Sequence, residues 1–383
     1  MNGMIYLDHA ATSYPKPTGV IAETVRCMRL YGGNAGRGSH RLALAAAEKI
    51  YACREEIASF FGSQHPENVT FTANATAAIN LAVKGLLRDG DHVLISDMEH
   101  NAVLRPIARL AEEGRITYDV FPTLVCDPKR SAARICTAIA RLIRPNTRLL
   151  VCAHTSNICS ASLPLEEIGS LCRRRGIRLV VDAAQSAGHL PISMEGMKID
   201  ALCVPSHKGL LGPQGSGFVL WGEGVHANTL IEGGSGYQSL ESKMPESLPE
   251  RHEAGTLPAP IIAGLAVGIR EVRERGVEAI RAHEGKLTAR LCEMLAELDR
   301  VRVYVPQYRG SVVLFSADSL PSDQIGRELD RRGICVRTGF HCAALAHKTL
   351  GTPDTGAVRV SVGMNTRQSD LDALYSSLRE ILQ

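Results

Sequence analysis

Short apolar runs recur along the first 221 residues, each closed by turn-forming or polar residues and each followed by a longer segment of helical character. Asn68–Thr72, His92–Ser96, Ile116–Val120, Arg148–Ala153, Arg178–Val181, Ala201–Val204 and Phe218–Trp221 have the length and bounding residues of strands. Between them, Ala77–Leu87, the segment after Asn101, Ala133–Leu142 and Leu165–Arg175 read as helices. Two more helices, Thr18–Tyr31 and Leu42–Phe61, precede the first strand, and the second carries Ala, Glu and Arg at good helical spacing. The glycine-rich stretch from Gly32 to His40 that separates them is unsuited to regular structure. Strand–helix units in this rhythm predict an α/β fold: a mostly parallel seven-stranded sheet with helices on both faces.

Past Trp221 the rhythm changes. Gly233–Gly236 and Pro245–Pro258 form a long irregular connection containing Glu253, Gly255 and Thr256. Helices are predicted over Ile261–Arg275 and Val277–Leu298. Strands at Val301–Val305, Val312–Phe315, Ile334–Arg337 and Val358–Val362 then mix with helices at Ser322–Arg332 and Ser369–Leu382. This is the pattern of a smaller α+β domain. The expected organisation is a large domain over residues 16–257 and a small one made of residues 1–15 with 258–383.

Open sheets of this kind bind ligands beyond the carboxyl ends of their strands. His100, Asn157, Asp182, Gln185 and Lys208 each fall just after such an end, whereas a chance distribution would place polar residues at both ends. Lys208 stands among Gly209, Gly212 and Gly215, between two buried strands. Loss of water around its ammonium would lower the pKa and free the amine to condense with a carbonyl. Taken alone, a loop lysine among chain-turning glycines is the alternative. The turn Ala73-Asn74-Ala75-Thr76 between a strand and a helix suits an anion held by unpaired helix N–H groups, and an ordinary threonine N-cap would look similar.

Composition narrows the choice. The 383 residues carry 43 basic and 40 acidic side chains, a net charge of +3 that leaves no nucleic-acid or anionic-membrane footprint. The run Arg173-Arg174-Arg175 is expected to end a helix and face solvent. No apolar stretch approaches the roughly 18 residues of a membrane span, and residues 1–8 lack signal-peptide features, so a cytoplasmic protein is expected. The 11 cysteines are odd in number and contain no Cys-x-x-Cys pair, which argues against a disulfide framework and a zinc site. Cys152, Cys172 and Cys203 lie in or beside apolar segments and are expected in the core.

A strand-end aspartate, the ring of His100, a phosphate-type turn and a buried lysine together suggest pyridoxal 5′-phosphate. That cofactor needs a lysine for its aldehyde, a carboxylate for its ring nitrogen, a flat partner and an anion cradle. At this point the chain resembles the cysteine desulfurase family of the class-V aminotransferases over nearly its whole length. The markers, in order, are Ala75-Thr76 with Asn80, Met98-Glu99-His100, His154 with Ser156-Asn157, Asp182 with Gln185, Ser206-His207-Lys208, Gly255-Thr256, Arg337 with Gly339 and His341-Cys342, and Val358-Arg359 with Ser361.

The resemblance implies a fold type I homodimer. Lys208 would bind the cofactor aldehyde and move protons at the substrate α-carbon; Asp182 would pair with the pyridine nitrogen. His100 would stack on the ring and assist proton transfer. Gln185 and Asn157 would bond the phenolate oxygen or the substrate. Ala75, Thr76, Ser206 and His207 would hold the phosphate, with Thr256 reaching the phosphate of the partner subunit's cofactor. Arg359 would bind the substrate carboxylate, and Asn34, His40, Asn157 and Arg337 would also line the substrate. Without the family, Arg359 and Thr256 read as a surface ion-pair member and a helix cap.

Cys342, by itself a small buried residue, would take the substrate's sulfur as a persulfide while alanine departs. That chemistry needs a thiolate, ideally near a cation, and His341, Arg337 and His347 are the candidates. The short Arg337–Cys342 spacing resembles the compact-loop branch that includes selenocysteine lyases. Three departures stand out: Phe340 where a second histidine is common, Ala343-Ala344-Leu345-Ala346 in place of Gln-Pro, and Ser160 in place of a frequent glycine. The expected substrate is L-cysteine, with L-selenocysteine the alternative, and a sulfur-acceptor protein is a further expected partner. A class-V aminotransferase or a cofactor-free scaffold are the competing functions.

Overall fold

The computed structural model describes residues 3–36, 38–308 and 310–383. An N-terminal arm carries β1 (Ile5–Tyr6) and leads to helices α1 (Thr18–Leu30) and α2 (Arg41–Phe60). Strands β2 (Val69–Thr72), β3 (His92–Ser96), β4 (Thr117–Phe121), β5 (Thr147–Ala153), β6 (Arg178–Asp182), β7 (Ala201–Pro205) and β8 (Gly217–Trp221) follow. Helices α3 (Ala75–Leu86), α4 (Asn101–Glu112), α5 (Ala132–Leu142) and α6 (Leu165–Arg175) alternate with them. The seven strands form one sheet in the order β2-β8-β7-β6-β5-β3-β4. Only β8 runs against its neighbours; the pairs from β7 through β4 are parallel.

Every residue of β3, β7 and β8 is buried, as in strands covered on both faces. The pleat sends neighbouring side chains to opposite layers. Leu94, Leu150, Val181 and Leu202 pack with residues of α2, α5 and α6. Val93, Ile95, Val151 and Val180 pack on the other face with α3 and α4.

The rest of the chain forms α7 (Ala259–Arg275), α8 (Val277–Ala296), β9 (Val301–Tyr304), β10 (Val312–Ala317), α9 (Ser322–Arg331), β11 (Ile334–Cys335), β12 (Arg337–Gly339), α10 (Ala344–Leu350), β13 (Ala357–Ser361) and α11 (Gln368–Leu382). A second, antiparallel sheet has the order β12-β13-β10-β9. Its own apolar cluster includes Leu291, Phe315, Leu329, Val358 and Leu374. By contrast, Ile262, Leu265 and Ile269 of α7 belong to the core under the seven-stranded sheet, where α7 packs on α1 and α2.

Two expectations are corrected. The segment Ile334–Arg337 is not one strand: Ile334 and Cys335 pair in parallel with β1, whereas Arg337–Gly339 pair with β13. An apolar run carries no information about a change of partner within it. Helix α3 begins at Ala75 rather than Ala77, because the Asn74 side chain caps it by accepting the N–H of Ala77 at 2.9 Å. Among the described residues no helix is long and apolar enough to cross a membrane.

Candidate active site

The carboxyl ends of β3, β5, β6 and β7 open into a solvent-connected cavity. His100, Asn157, Asp182, Gln185, His207 and Lys208 line it, facing Ala75 and Thr76 on the first turn of α3. Residues spread over more than 130 positions thus meet because each follows the end of a strand in one sheet.

Lys208 follows β7 by three residues. Burial pushes its amine down to about 8; the Arg359 and Arg337 charges add to this, while Asp182 and Asp8 oppose it. The peptide before it is pinned by the N-terminal arm. The His207 carbonyl accepts from the Ser13 N–H at 3.0 Å, the Thr12 hydroxyl at 3.1 Å and the Lys16 ammonium at 2.7 Å. Burial lowers Lys16 as well, to about 8.

Asp182 is the last residue of β6 and is buried; one carboxylate oxygen accepts the Ala184 N–H at 2.9 Å. His100 caps α4, its Nδ1 accepting the Ala102 N–H at 3.0 Å. The neutral ring therefore carries its proton on Nε2, and burial lowers the pKa so that the ring favours this neutral form. Gln185 donates its amide to the Ala10 carbonyl at 2.9 Å, which leaves its oxygen for the cavity.

Arg359 contradicts the surface-pair alternative, because the side chain is fully buried. It donates to Asp8 at 2.7 Å and to the Asn157 carbonyl at 3.2 Å. Its Nε is buried with no partner among the described residues. The Asn157 side chain in turn donates to the His341 carbonyl at 2.9 Å, and the Asn101 N–H donates to the Cys342 carbonyl at 2.7 Å. The exposed Cys342 is thereby tied to the strand ends that form the cavity. Arg337 places Nη2 4.0 Å from its sulfur. His341 does not serve as the expected cation: burial, with Arg359 nearby, pushes it down to about 3. Burial lowers His347 too, which leaves Arg337 as the cation beside Cys342.

Of the expected residues, Arg337, Cys342 and Arg359, and also Asn34, His40, Ser206 and Thr256, do not line the cavity. Ser206 is fully buried and turns its hydroxyl to the carbonyls of Pro213 and Ser216, at 2.5 and 2.8 Å. Thr256 accepts from Asn34 at 3.2 Å on the exposed surface. His40 caps α2, and its Nδ1 accepts the Ala43 N–H at 3.4 Å.

The sequence assigns no role to three groups: Asp8, Lys16 and, although it stands in the Met98-Glu99-His100 marker, Glu99. Asp8 and Lys16 come from the arm, whose polar run Asp8–Ser13 was the available signal. Glu99 lies fully buried beneath the site, accepting the Ala153 N–H at 3.0 and 3.1 Å and paired with the Ser96 hydroxyl. Burial raises its carboxyl to about 8.

The class-V aminotransferase family model matches residues 5–374. A probable cysteine desulfurase of Methanothermobacter thermautotrophicus is 32% identical over 98% of this chain and 94% of that protein. The chain belongs to the cysteine desulfurase family of class-V aminotransferases. A probable cysteine desulfurase of Aeropyrum pernix is 33% identical over 99% of this chain and 95% of that protein. The solved apo structure of the cysteine desulfurase from Thermococcus onnurineus NA1 superposes with a TM-score of 0.89 at 29% identity, covering 100% of this chain and 95% of that one.

The residues of this desulfurase-family site fit pyridoxal phosphate. A lysine of lowered pKa, a buried carboxylate and a ring with one committed nitrogen surround the cavity. The turn where a phosphate would sit depends on Gly217: a Cβ there would stand 2.7 Å from the Asn74 carbon and 2.9 Å from the Ala75 nitrogen, so glycine alone lets the start of α3 close against β8.

Proposed function

We propose that the chain is a pyridoxal-phosphate-dependent cysteine desulfurase that converts L-cysteine to L-alanine and leaves the sulfur on Cys342 as a persulfide. The observation that carries the reading is the link from Lys208's cavity, through Asn157 and the His341 carbonyl, to an exposed cysteine beside Arg337. In the overall reaction the substrate C–S bond breaks and an S–S bond forms to Cys342. The thiol proton of Cys342 is released, the persulfide retains the substrate's thiol hydrogen, and the methyl carbon of alanine gains a proton.

When bound, the cofactor would supply an electron sink and a carbonyl carbon for the substrate amine. Lys208, in its neutral form, is the base at the α-carbon and returns the proton. Asp182 would keep the cofactor's ring nitrogen protonated, and His100 would cover the ring face. Thr76, the α3 N–H groups and His207 would hold the phosphate. Arg359 receives the substrate carboxylate, with its unpartnered Nε as the donor in reserve. Cys342 is the nucleophile toward sulfur.

The working unit in this reading is a homodimer. Ile21, Val25 and Met28 of α1 and Leu42 and Leu44 of α2 are exposed apolar side chains that a second copy would cover. Thr256, Asn34 and His40, away from their own cavity, would then serve the partner's. The division into residues 16–257 and residues 1–15 with 258–383 belongs to the same reading; the separate core of the four-stranded sheet, which includes Leu7 and residues from α8 onward, supports it, whereas α7 packs in the core of the large sheet. Buried thiols such as Cys53, Cys152 and Cys203 fit a reducing, cytoplasmic setting.

The test is alanine release from L-cysteine with added thiol, for wild type and Cys342→Ala. Turnover by the wild type alone supports the reading. Equal turnover by both would remove Cys342 from the reaction, and inactivity of a cofactor-loaded wild type would make the substrate wrong.

A further inference from the structure

Behind Cys342 lies a buried chain of side chains that the desulfurase chemistry does not use. His341 Nε2 stands 3.4 Å from the Arg337 carbonyl, and His341 Nδ1 is 3.3 Å from His347 Nε2. His347 Nδ1 is 2.7 Å from the Thr352 hydroxyl. All three side chains are buried, and the two rings lie 14° from parallel. A carbonyl only accepts, so His341 carries its proton on Nε2. Its Nδ1 is then an acceptor, His347 must donate from Nε2, and Thr352 must donate to His347 Nδ1. With both histidines neutral, as burial favours, this arrangement of protons satisfies the whole chain; the Thr352 hydroxyl also lies 3.5 Å from the His347 carbonyl.

The segment it braces is strained. His341 and Cys342 sit consecutively in the left-handed region, at φ 52° and 55°, where side chains other than glycine are disfavoured. Such a turn persists only where its surroundings over-determine it. The Asn157 and Asn101 donors hold the two carbonyls of the turn, and the relay holds the ring between them. Phe340 adds an edge-on contact to His347, with centroids 5.6 Å apart. His347, a turn of α10 beyond the cysteine, thus supplies a ring partner from within the chain.

We propose that His347 and Thr352 are positioning residues that lock the left-handed turn presenting Cys342 to the substrate sulfur. The proposal rests on Cys342 being the sulfur acceptor, but the lock itself is testable without cofactor. Hydrogen exchange of the Asn101 amide, which donates to Cys342, is measured in the apoprotein for wild type, Thr352→Val and Thr352→Ser. The valine is nearly isosteric but cannot donate to His347. Its exchange at Asn101 and over residues 340–344 should rise about tenfold or more, with the β5 and β6 amides unchanged. In the loaded enzyme, kcat for alanine release should fall about tenfold to a hundredfold with little change in KM, as expected for a displaced nucleophile. Thr352→Ser should restore both. Unchanged Asn101 exchange in Thr352→Val, or no recovery with serine, overturns the proposal. A wild type that forms no persulfide refutes the role of Cys342 and leaves the exchange comparison to decide the lock.

Discussion

Capture of pyridoxal phosphate by the apoprotein should depend on pH in a way that an ordinary lysine cannot reproduce. Only the neutral amine of Lys208 attacks the aldehyde, and burial brings its pKa from 10.5 to about 8. At pH 7 that difference raises the neutral fraction from about 0.03% to about 9%, a factor of about 300. The capture rate, followed by absorbance, should therefore climb about tenfold per pH unit below 7 and level off close to pH 8. Borohydride reduction and peptide mapping then verify that Lys208 is the modified residue. Arg337→Gln removes a cation that helps to lower the pKa, so its plateau should move to higher pH. A rate that keeps rising through pH 10 in the wild type would refute the argument, because Lys208 would then behave as a solvated lysine.

Two predictions concern stability. Glu99 has a carboxyl raised to about 8 in the folded chain, so the native state binds an extra proton between pH 4.5 and 8 and loses stability as pH rises through that window. In thermal melts of the apoprotein, Glu99→Gln should lose less Tm between pH 5 and 9 than the wild type does; identical slopes would contradict the assignment. Arg54 and Glu253 form a buried pair at 3.0 and 2.6 Å that also binds the Phe71 N–H at 2.6 Å, fastening the 233–258 connection to β2. Removing Arg54 by Arg54→Ala leaves a buried carboxylate and should cost about 3–5 kcal/mol in urea unfolding; a loss below about 1 kcal/mol would make the pair dispensable.

The parts of this molecule legible in the sequence are those governed by local pattern. The run His92–Ser96 is a strand with the expected bounds, Lys208 and His100 follow strand ends as read, and Asp182, expected just past its strand, is the last residue of β6. What the chain order conceals is partnership at a distance. Asp8 meets Arg359 across 351 positions, and the same arm fixes the His207 carbonyl. The break at Val336 arises because two different sheets claim its neighbours. Ser160 shows an intermediate case. The family resemblance leads to the expectation of a glycine there, and the serine adopts φ 57°; its hydroxyl donates to the Val312 carbonyl at 2.9 Å and accepts the Val312 N–H at 2.8 Å, which holds the disfavoured turn in place. Substitution of Gly217 likewise affects the site only through the close approach of α3 and β8, which is invisible in one dimension.

The most direct test of the account is the mass of Cys342 after one turnover with L-cysteine in the absence of thiol. The account predicts that the peptide containing Cys342 gains one sulfur atom in step with the alanine released, and that the peptides of the other cysteines do not. Alanine released with Cys342 unmodified, or sulfur found first on another cysteine, would contradict it.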